Sequence, residues 1–168
     1  MRAFALQGLG DFACLRPQGR PVQLAGLAVE SRSDASGAGD VRVAGRFVAF
    51  TYTTDSDCTL QDLVVVDVRA RRTVTEVGST DGAFSETSGC YQPAGFERIV
   101  LRRSGRVAWT EGADANGLRS VNALDPDAKA RRRVLDEGAD VDSASLRAVD
   151  GDTIGWTRGG VPKTAPLR

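Results

Sequence analysis

The chain has 168 residues, of which 41% are hydrophobic, so it is long enough to bury a core as a single domain and is not expected to be disordered. Basic and acidic residues are balanced at 22 each, which argues against general electrostatic binding to nucleic acid or membranes. Histidine is absent, and this excludes Ser-His-Asp and Cys-His catalytic sites within the chain.

The first residues, MRAFALQGLGDFACLRP, are interrupted by polar and glycine positions and are predicted to form strands rather than a signal peptide. Apolar runs elsewhere are much shorter than the roughly 18 residues that a membrane-spanning helix needs. We therefore expect no membrane span.

Short apolar or alternating runs, separated by Gly, Asp and Pro, predict strands along the whole chain. In order, the runs are 11–15, 20–24, 40–44, 46–53, 60–68, 73–77, 98–102, 106–110, 118–124, 131–135, 145–149, 153–157 and 162–167. Residues 125–135 also resemble a helix start, with Asp125 as a cap and Pro126 in the first turn. A hairpin is favoured there, because the corresponding segments elsewhere read as hairpins.

Three segments repeat one pattern: VRVAGRFVAFT at 41–51, VLRRSGRVAWT at 100–110 and RAVDGDTIGWT at 147–157. Each has a turn glycine (Gly45, Gly105 and Gly151) followed by an apolar strand that ends in an aromatic residue and a threonine (Phe50-Thr51, Trp109-Thr110 and Trp156-Thr157). A second hairpin follows at 63–77 and 118–138, and residues 12–24 look like another copy of it. The unit is therefore about four strands that restart after roughly 45–60 residues.

This pattern resembles the β-propeller-like repeat proteins that are common in high-GC bacteria and often exported. The resemblance implies an all-β fold of antiparallel four-stranded repeats, as a partial or small propeller, and it implies export; a β-sandwich is the alternative fold. We expect one all-β domain over 1–168, with complete units at 40–78 and 96–138 and partial units at about 1–26 and 145–168. Propellers need about four to eight blades to close, so the ends pair, two chains assemble, or the chain forms a sandwich.

Several residue sets could carry chemistry, and each also has a structural interpretation. Phe50, Trp109 and Trp156 are predicted to pack in the core rather than bind a ligand. Aspartates come in pairs at turns (Asp55 and Asp57, Asp125 and Asp127, Asp140 and Asp142, Asp150 and Asp152), where capping of the backbone explains them without calcium. Arg131 and Arg133 are expected on one face of a solvated edge strand. We predict no cofactor, no metal site and no catalytic residue.

The three cysteines are Cys14, Cys58 and Cys90. Cys58 and Cys90 lie in turn-rich stretches that flank the hairpin at 63–77, so we predict a disulfide between them and a buried, inert thiol at Cys14. The disulfide would hold together two polar loops, 53–59 and 82–91, which are the predicted contact surface. Its candidate contact residues are Thr53, Asp55, Asp57, Ser85, Glu86 and Tyr91.

These patterns favour a non-enzymatic interaction or structural module outside the cytoplasm, binding an unknown protein or surface glycan and no nucleic acid, with a homo-oligomer as one way to cover open sheet edges. One alternative is a small carboxylate-dependent, carbohydrate-active hydrolase, which requires two or more Asp or Glu side chains in one concave pocket. Another is a fragment of a longer β-propeller protein.

Overall fold

The computed structural model describes residues 2–6, 10–14, 22–23, 39–55, 59–125 and 131–167, and the side chains of 40–54, 59–125 and 131–167. Every regular element in these residues is a β-strand, and none of them forms a helix that could cross a membrane. The strands are β1 (Arg2–Leu6), β2 (Gly10–Cys14), β3 (Val22–Gln23), β4 (Gly39–Ala44), β5 (Phe47–Asp55), β6 (Thr59–Asp67), β7 (Arg72–Gly78), β8 (Asp81–Ser85), β9 (Cys90–Pro93), β10 (Phe96–Leu101), β11 (Val107–Glu111), β12 (Arg119–Leu124), β13 (Arg133–Gly138), β14 (Val141–Ala148), β15 (Thr153–Arg158) and β16 (Val161–Pro166).

The strands form five antiparallel sheets in which neighbours in sequence are neighbours in space. Two sheets have four strands, β4-β5-β6-β7 and β10-β11-β12-β13; two have three strands, β1-β2-β3 and β14-β15-β16; and β8-β9 is a separate hairpin. This arrangement confirms the expected all-β class with repeated antiparallel meanders. Since all pairings are local, each sheet follows from its own hairpin turns.

The three repeated glycines occupy equivalent turns, as predicted. Gly45 joins β4 to β5, Gly105 joins β10 to β11, and Gly151 joins β14 to β15. Their φ angles are 61°, 87° and 48°, in the left-handed region that favours glycine over residues with a Cβ. The glycine therefore recurs in sequence because each turn needs a residue with a left-handed backbone conformation.

The sheets stand side by side with their first strands adjacent: β1 contacts β4, β4 contacts β10, and β10 contacts β14. Sheet faces pack against each other around this row of inner strands, in the manner of propeller blades. The β4–β7 sheet is covered on both faces. This explains why β6 contains an unbroken buried run over 63–67 instead of an alternating pattern.

Two hydrophobic clusters fill the spaces between sheets. Between the β4–β7 and β10–β13 sheets lie Phe47, Ala49, Leu63, Val65, Ile99, Val107, Trp109 and Leu124. Between the β10–β13 and β14–β16 sheets lie Ala108, Val121, Ala123, Val141, Leu146, Ile154, Trp156 and Leu167. Phe50, Trp109 and Trp156 are all buried, so the expectation that these aromatic residues form core contacts is confirmed.

One segment was misjudged from sequence. Residues 82–91 were expected to form a polar loop, but most of them belong to β8 and β9. Gly, Ser and Thr dominate this segment, and with few β-branched residues it lacks the alternation that signals a strand. Thr53 and Asp55 likewise belong to β5 rather than to a loop.

Residues 133–138 form a strand, as the hairpin interpretation of 125–135 requires, while 126–130 lie outside the described residues.

Candidate functional site

The β8–β9 hairpin exposes a pair of aromatic side chains. Phe84 and Tyr91 are register partners across the two strands, and their rings meet edge to face with centroids 5.2 Å apart. Both side chains remain about half exposed, at 54% and 52%. A paired aromatic surface of this kind is rigid and amphipathic, and such residues are enriched at binding interfaces.

A cleft of about 210 Å³ adjoins this hairpin. Leu60, 48% exposed, stands in its wall and joins the aromatic pair into one surface. Asp62 and Asp81 are the acidic residues among those described in its lining. Its lining consists of Thr59, Leu60, Gln61, Asp62, Gly78, Ser79, Asp81, Tyr91 and Pro93. We call the cleft together with Phe84 the hairpin surface.

Gln61 on β6 holds this region in place. Its carbonyl oxygen accepts a hydrogen bond from the Ser79 amide at 2.8 Å, and its side-chain oxygen accepts one from the Phe96 amide at 3.0 Å. The base of the hairpin is closed by the Ala94 amide, which donates to the Thr80 carbonyl at 2.8 Å. The β8–β9 hairpin is thus anchored next to the β4–β7 sheet through backbone hydrogen bonds, while its tip faces solvent.

The predicted contact residues fall partly on this surface. Tyr91 lines the cleft, and Ser85 and Glu86 lie at the hairpin end, Glu86 being exposed. Thr53 is half-buried in β5. Asp57 and the side chain of Asp55 lie outside the described residues. Sequence reasoning missed Leu60, Asp62, Asp81 and Phe84, although the isolated aromatic in the otherwise small and polar run DGAFSETSG was a usable signal for Phe84.

Cys90, the first residue of β9, is buried and belongs to a disulfide. Cys58 and the side chain of Cys14 lie outside the described residues, so the pairing with Cys58 stays a prediction. Cys90 is the register partner of Ser85, which places its sulfur at the hairpin end of the molecule.

The turn aspartates cap backbone or pair with arginine. The Asp114 carboxylate accepts the Leu118 and Asn116 amides, and these hydrogen bonds lower the pKa of Asp114. Asp142 accepts the Ala144 amide, and Asp150 accepts the Gly151 amide. Across the side chains that the structure describes, no group of three His, Cys, Asp or Glu residues is placed to hold a metal ion.

The run Arg131–Arg133 is not the simple solvated strand that we expected. Arg131 and Arg133 are exposed, but Arg132 turns inward and pairs with the fully buried Glu111, Nη2 to Oε2 at 2.7 Å. The expected strand over 131–135 would itself have pointed Arg132 away from its two neighbours, although β13 begins only at Arg133. The acidic partner of Arg132 is Glu111, which lies 21 residues earlier in the sequence.

Glu111 has three side-chain partners: one from its own strand β11, one from the connection between β7 and β8, and one from the residue before β13. The Trp109 indole donates to it at 3.0 Å, the Thr80 hydroxyl at 2.6 Å and the Arg132 guanidinium at 2.7 Å. Arg132 also donates to Asn122 at 2.9 Å and lies 6.0 Å from the Trp109 ring centroid. A carboxylate saturated in this way ties the β10–β13 sheet to the connection between β7 and β8 and offers no free oxygen to a substrate.

A larger cavity of about 680 Å³ opens at the opposite end of the sheets, between the three glycine turns. Its charged lining residues are Arg102, Arg103 and Asp152. Asp152 is held by Arg106 at 2.6 Å, with Arg102 at 3.8 Å. The bond to Asp152, and then that to Asp125, raises the pKa of Arg106, and Asp152 is thereby held in ion pairs.

No protein-family model and no curated protein matches the chain. Among solved structures it is similar to the β-propeller domain of the Trilobed protease from Pyrococcus furiosus, a domain described as having an open velcro topology. The TM-score is 0.54 at 12% identity, and the match covers 74% of this chain and 34% of that one. The likeness supports the propeller-type fold and extends to about a third of the neighbour's length.

Proposed function

We propose that the protein is a non-enzymatic interaction module that acts outside the cytoplasm, with the hairpin surface as its contact site. The observation that carries this proposal is the half-exposed Phe84–Tyr91 pair beside Leu60 and a small cleft. Aromatic residues clustered at the rim of a pocket on a rigid sheet scaffold are typical anchors for a binding partner.

The test is a comparison of the wild type with a Phe84→Ser/Tyr91→Ser variant against a displayed peptide library and a glycan array. Val134→Ser is the matched control, because Val134 is an equally exposed apolar residue (52%) on β13. Ligands of the module should be lost in the double variant and kept in the control. A set of ligands that both variants retain would refute the hairpin surface as the contact site.

An extracytoplasmic location is supported by the disulfide of Cys90. We propose Cys58 as its partner, because the adjacent residues Thr59 and Tyr91 line the same cleft. Closing the 58–90 loop would stabilise the fold by about 3–4 kcal/mol in the chain-entropy model.

Thiol titration of unfolded, unreduced protein should therefore find one free group, Cys14. Peptide mapping by mass spectrometry should link the Cys58 and Cys90 peptides. Three free thiols, or a Cys14–Cys90 link, would contradict the proposed pairing.

A small hydrolase is the second candidate, and the presence of Asp62 and Asp81 in one cleft is the observation that favours it. The cleft is small, however, about 210 Å³ against the roughly 300–1,000 Å³ of typical ligand pockets. A screen with glycoside, ester and phosphoester substrates decides the matter. Turnover that is abolished in folded Asp62→Asn or Asp81→Asn protein would make the hydrolase the better assignment.

A further inference from the structure

The charge of the chain is balanced overall but unevenly distributed. Segments 53–62 and 78–97 contain no Lys or Arg, whereas they contain six acidic residues: Asp55, Asp57, Asp62, Asp81, Glu86 and Glu97. The described residues 59–62 and the hairpin meet at the hairpin surface, where Thr59 and Leu60 lie with Asp81 and Tyr91 around the cleft. The described lining of the cleft is therefore acidic, although the chain as a whole carries no net charge.

Among the described residues that line the cleft, Asp62 and Asp81 are the only charged ones. Asp81 is exposed, and no basic side chain among the described residues pairs with it. The Tyr91 ring shares this wall and keeps half of its surface open to solvent. Carboxylates next to an exposed aromatic ring are the arrangement that receives a cation through charge and through the face of the ring.

We propose that the cleft binds an Arg or Lys side chain of a basic, extended segment in a protein partner. The head group would lie between the Asp81 carboxylate and the Tyr91 ring, and its aliphatic part would contact Leu60. The cleft volume of about 210 Å³ suits one long side chain better than a whole folded domain. This inference rests on the proposed function, since it names the partner of the same surface.

A calcium ion is the competing cation, and it takes six to eight oxygen ligands, usually from several carboxylates. The described part of the chain has no group of three acidic, Cys or His side chains that could begin such a shell. A single organic cation needs only one carboxylate and one ring face, both of which the cleft supplies.

The experiment measures binding of an end-blocked Arg-Ser repeat peptide to the full chain by calorimetry at low ionic strength. A Gln-Ser repeat of equal length is the neutral probe. Asp81→Asn removes one charge without changing shape, Tyr91→Leu removes the ring, and Asp142→Asn is the control at an exposed aspartate in the β14–β16 sheet. We expect each cleft variant to bind the Arg-Ser peptide at least about fivefold more weakly than the wild type. The control variant should bind it as tightly as the wild type.

Binding should also weaken as salt is added, and the neutral peptide should not bind. Equal affinity in Asp81→Asn, or equal binding of the Gln-Ser peptide, overturns the inference. So does calcium binding, or self-association of the chain, that requires Asp81. If library ligands depend on Phe84 and Tyr91 but carry no basic residue, the inference fails and the proposed function stands. If they do not depend on the hairpin, the proposed function fails as well.

Discussion

Glu111 combines complete burial with three hydrogen-bonding partners, and its removal has a calculable consequence. In Glu111→Ala the Arg132 cation loses its carboxylate and the Trp109 indole N–H loses its acceptor. Breaking a buried pair on one side costs about 3–5 kcal/mol, and the partial exposure of Arg132 brings the expected loss to about 2–3 kcal/mol of unfolding free energy. Urea denaturation measures it.

The exposed Glu137→Ala serves as the control and should stay within about 0.5 kcal/mol of the wild type. The double variant Glu111→Met/Arg132→Met should lose less than Glu111→Ala, because it leaves no unpaired charge in the interior. A Glu111→Ala variant as stable as the wild type would show that the network does not stabilise the fold.

The surroundings of Asp136 indicate that the unfolding free energy of the protein falls in acid. Burial alone would raise the pKa of Asp136, but hydrogen bonds from the Trp156 indole (2.7 Å) and the Arg158 guanidinium (2.6 Å) outweigh burial and lower it. Because the pKa of Asp136 is lower in the folded state, its carboxylate stabilises the fold at pH values above the unfolded-state pKa of about 3.9. This contribution is lost as the pH falls through the lower, folded value.

Unfolding free energies at neutral and acidic pH should therefore differ less in Asp136→Asn than in the wild type. The variant should be destabilised near pH 7 and should approach the wild type once the pH falls below the lowered, folded pKa of Asp136. Chemical denaturation across this range checks the prediction, and parallel pH profiles of the two proteins would contradict it.

At the scale of elements, the three glycine turns share a backbone conformation but not their surroundings. A Cβ on Gly105 would lie 2.9 Å from the Phe47 ring, in the contact between sheets, whereas a Cβ on Gly151 would meet no atom within 4 Å. Gly151→Ala should cost about 1 kcal/mol for its positive φ, and Gly105→Ala about 2–4 kcal/mol, since it adds overpacking. Thermal and urea unfolding compare the two; equal losses would show that φ alone determines the cost.

At the scale of the whole molecule, the β14–β16 sheet ends in a strand that resists further pairing. The Leu167 amide donates to the Asp152 carbonyl, and the register continues so that 161, 163 and 165 face β15. The outward amide positions are then 162, 164 and 166, and two of them are proline. Arg133 also donates to the outward Pro166 carbonyl at 2.9 Å. Prolines on an edge strand prevent the addition of another chain.

Pro162→Thr/Pro166→Thr should restore two amide donors to this edge and increase self-association at equal protein concentration. Light scattering coupled to size-exclusion chromatography measures the change. Pro93→Thr, at the end of β9, is the control for proline replacement as such. If the β16 variant shows the same mass as the wild type, the prolines do not protect this edge.

The sequence by itself determined the strand-rich class, the equivalent glycine turns and the burial of Phe50, Trp109 and Trp156, because each depends on local periodicity and backbone conformation. Only the tertiary structure decided the partners of residues distant in sequence. Arg132, next to β13, meets Glu111 on β11 across the intervening strand β12, and Leu60 joins Asp81 and Tyr91 around a cleft formed by separate hairpins. Those encounters follow from how strands pair within a sheet and how hairpins pack against one another, which no local pattern of the chain encodes.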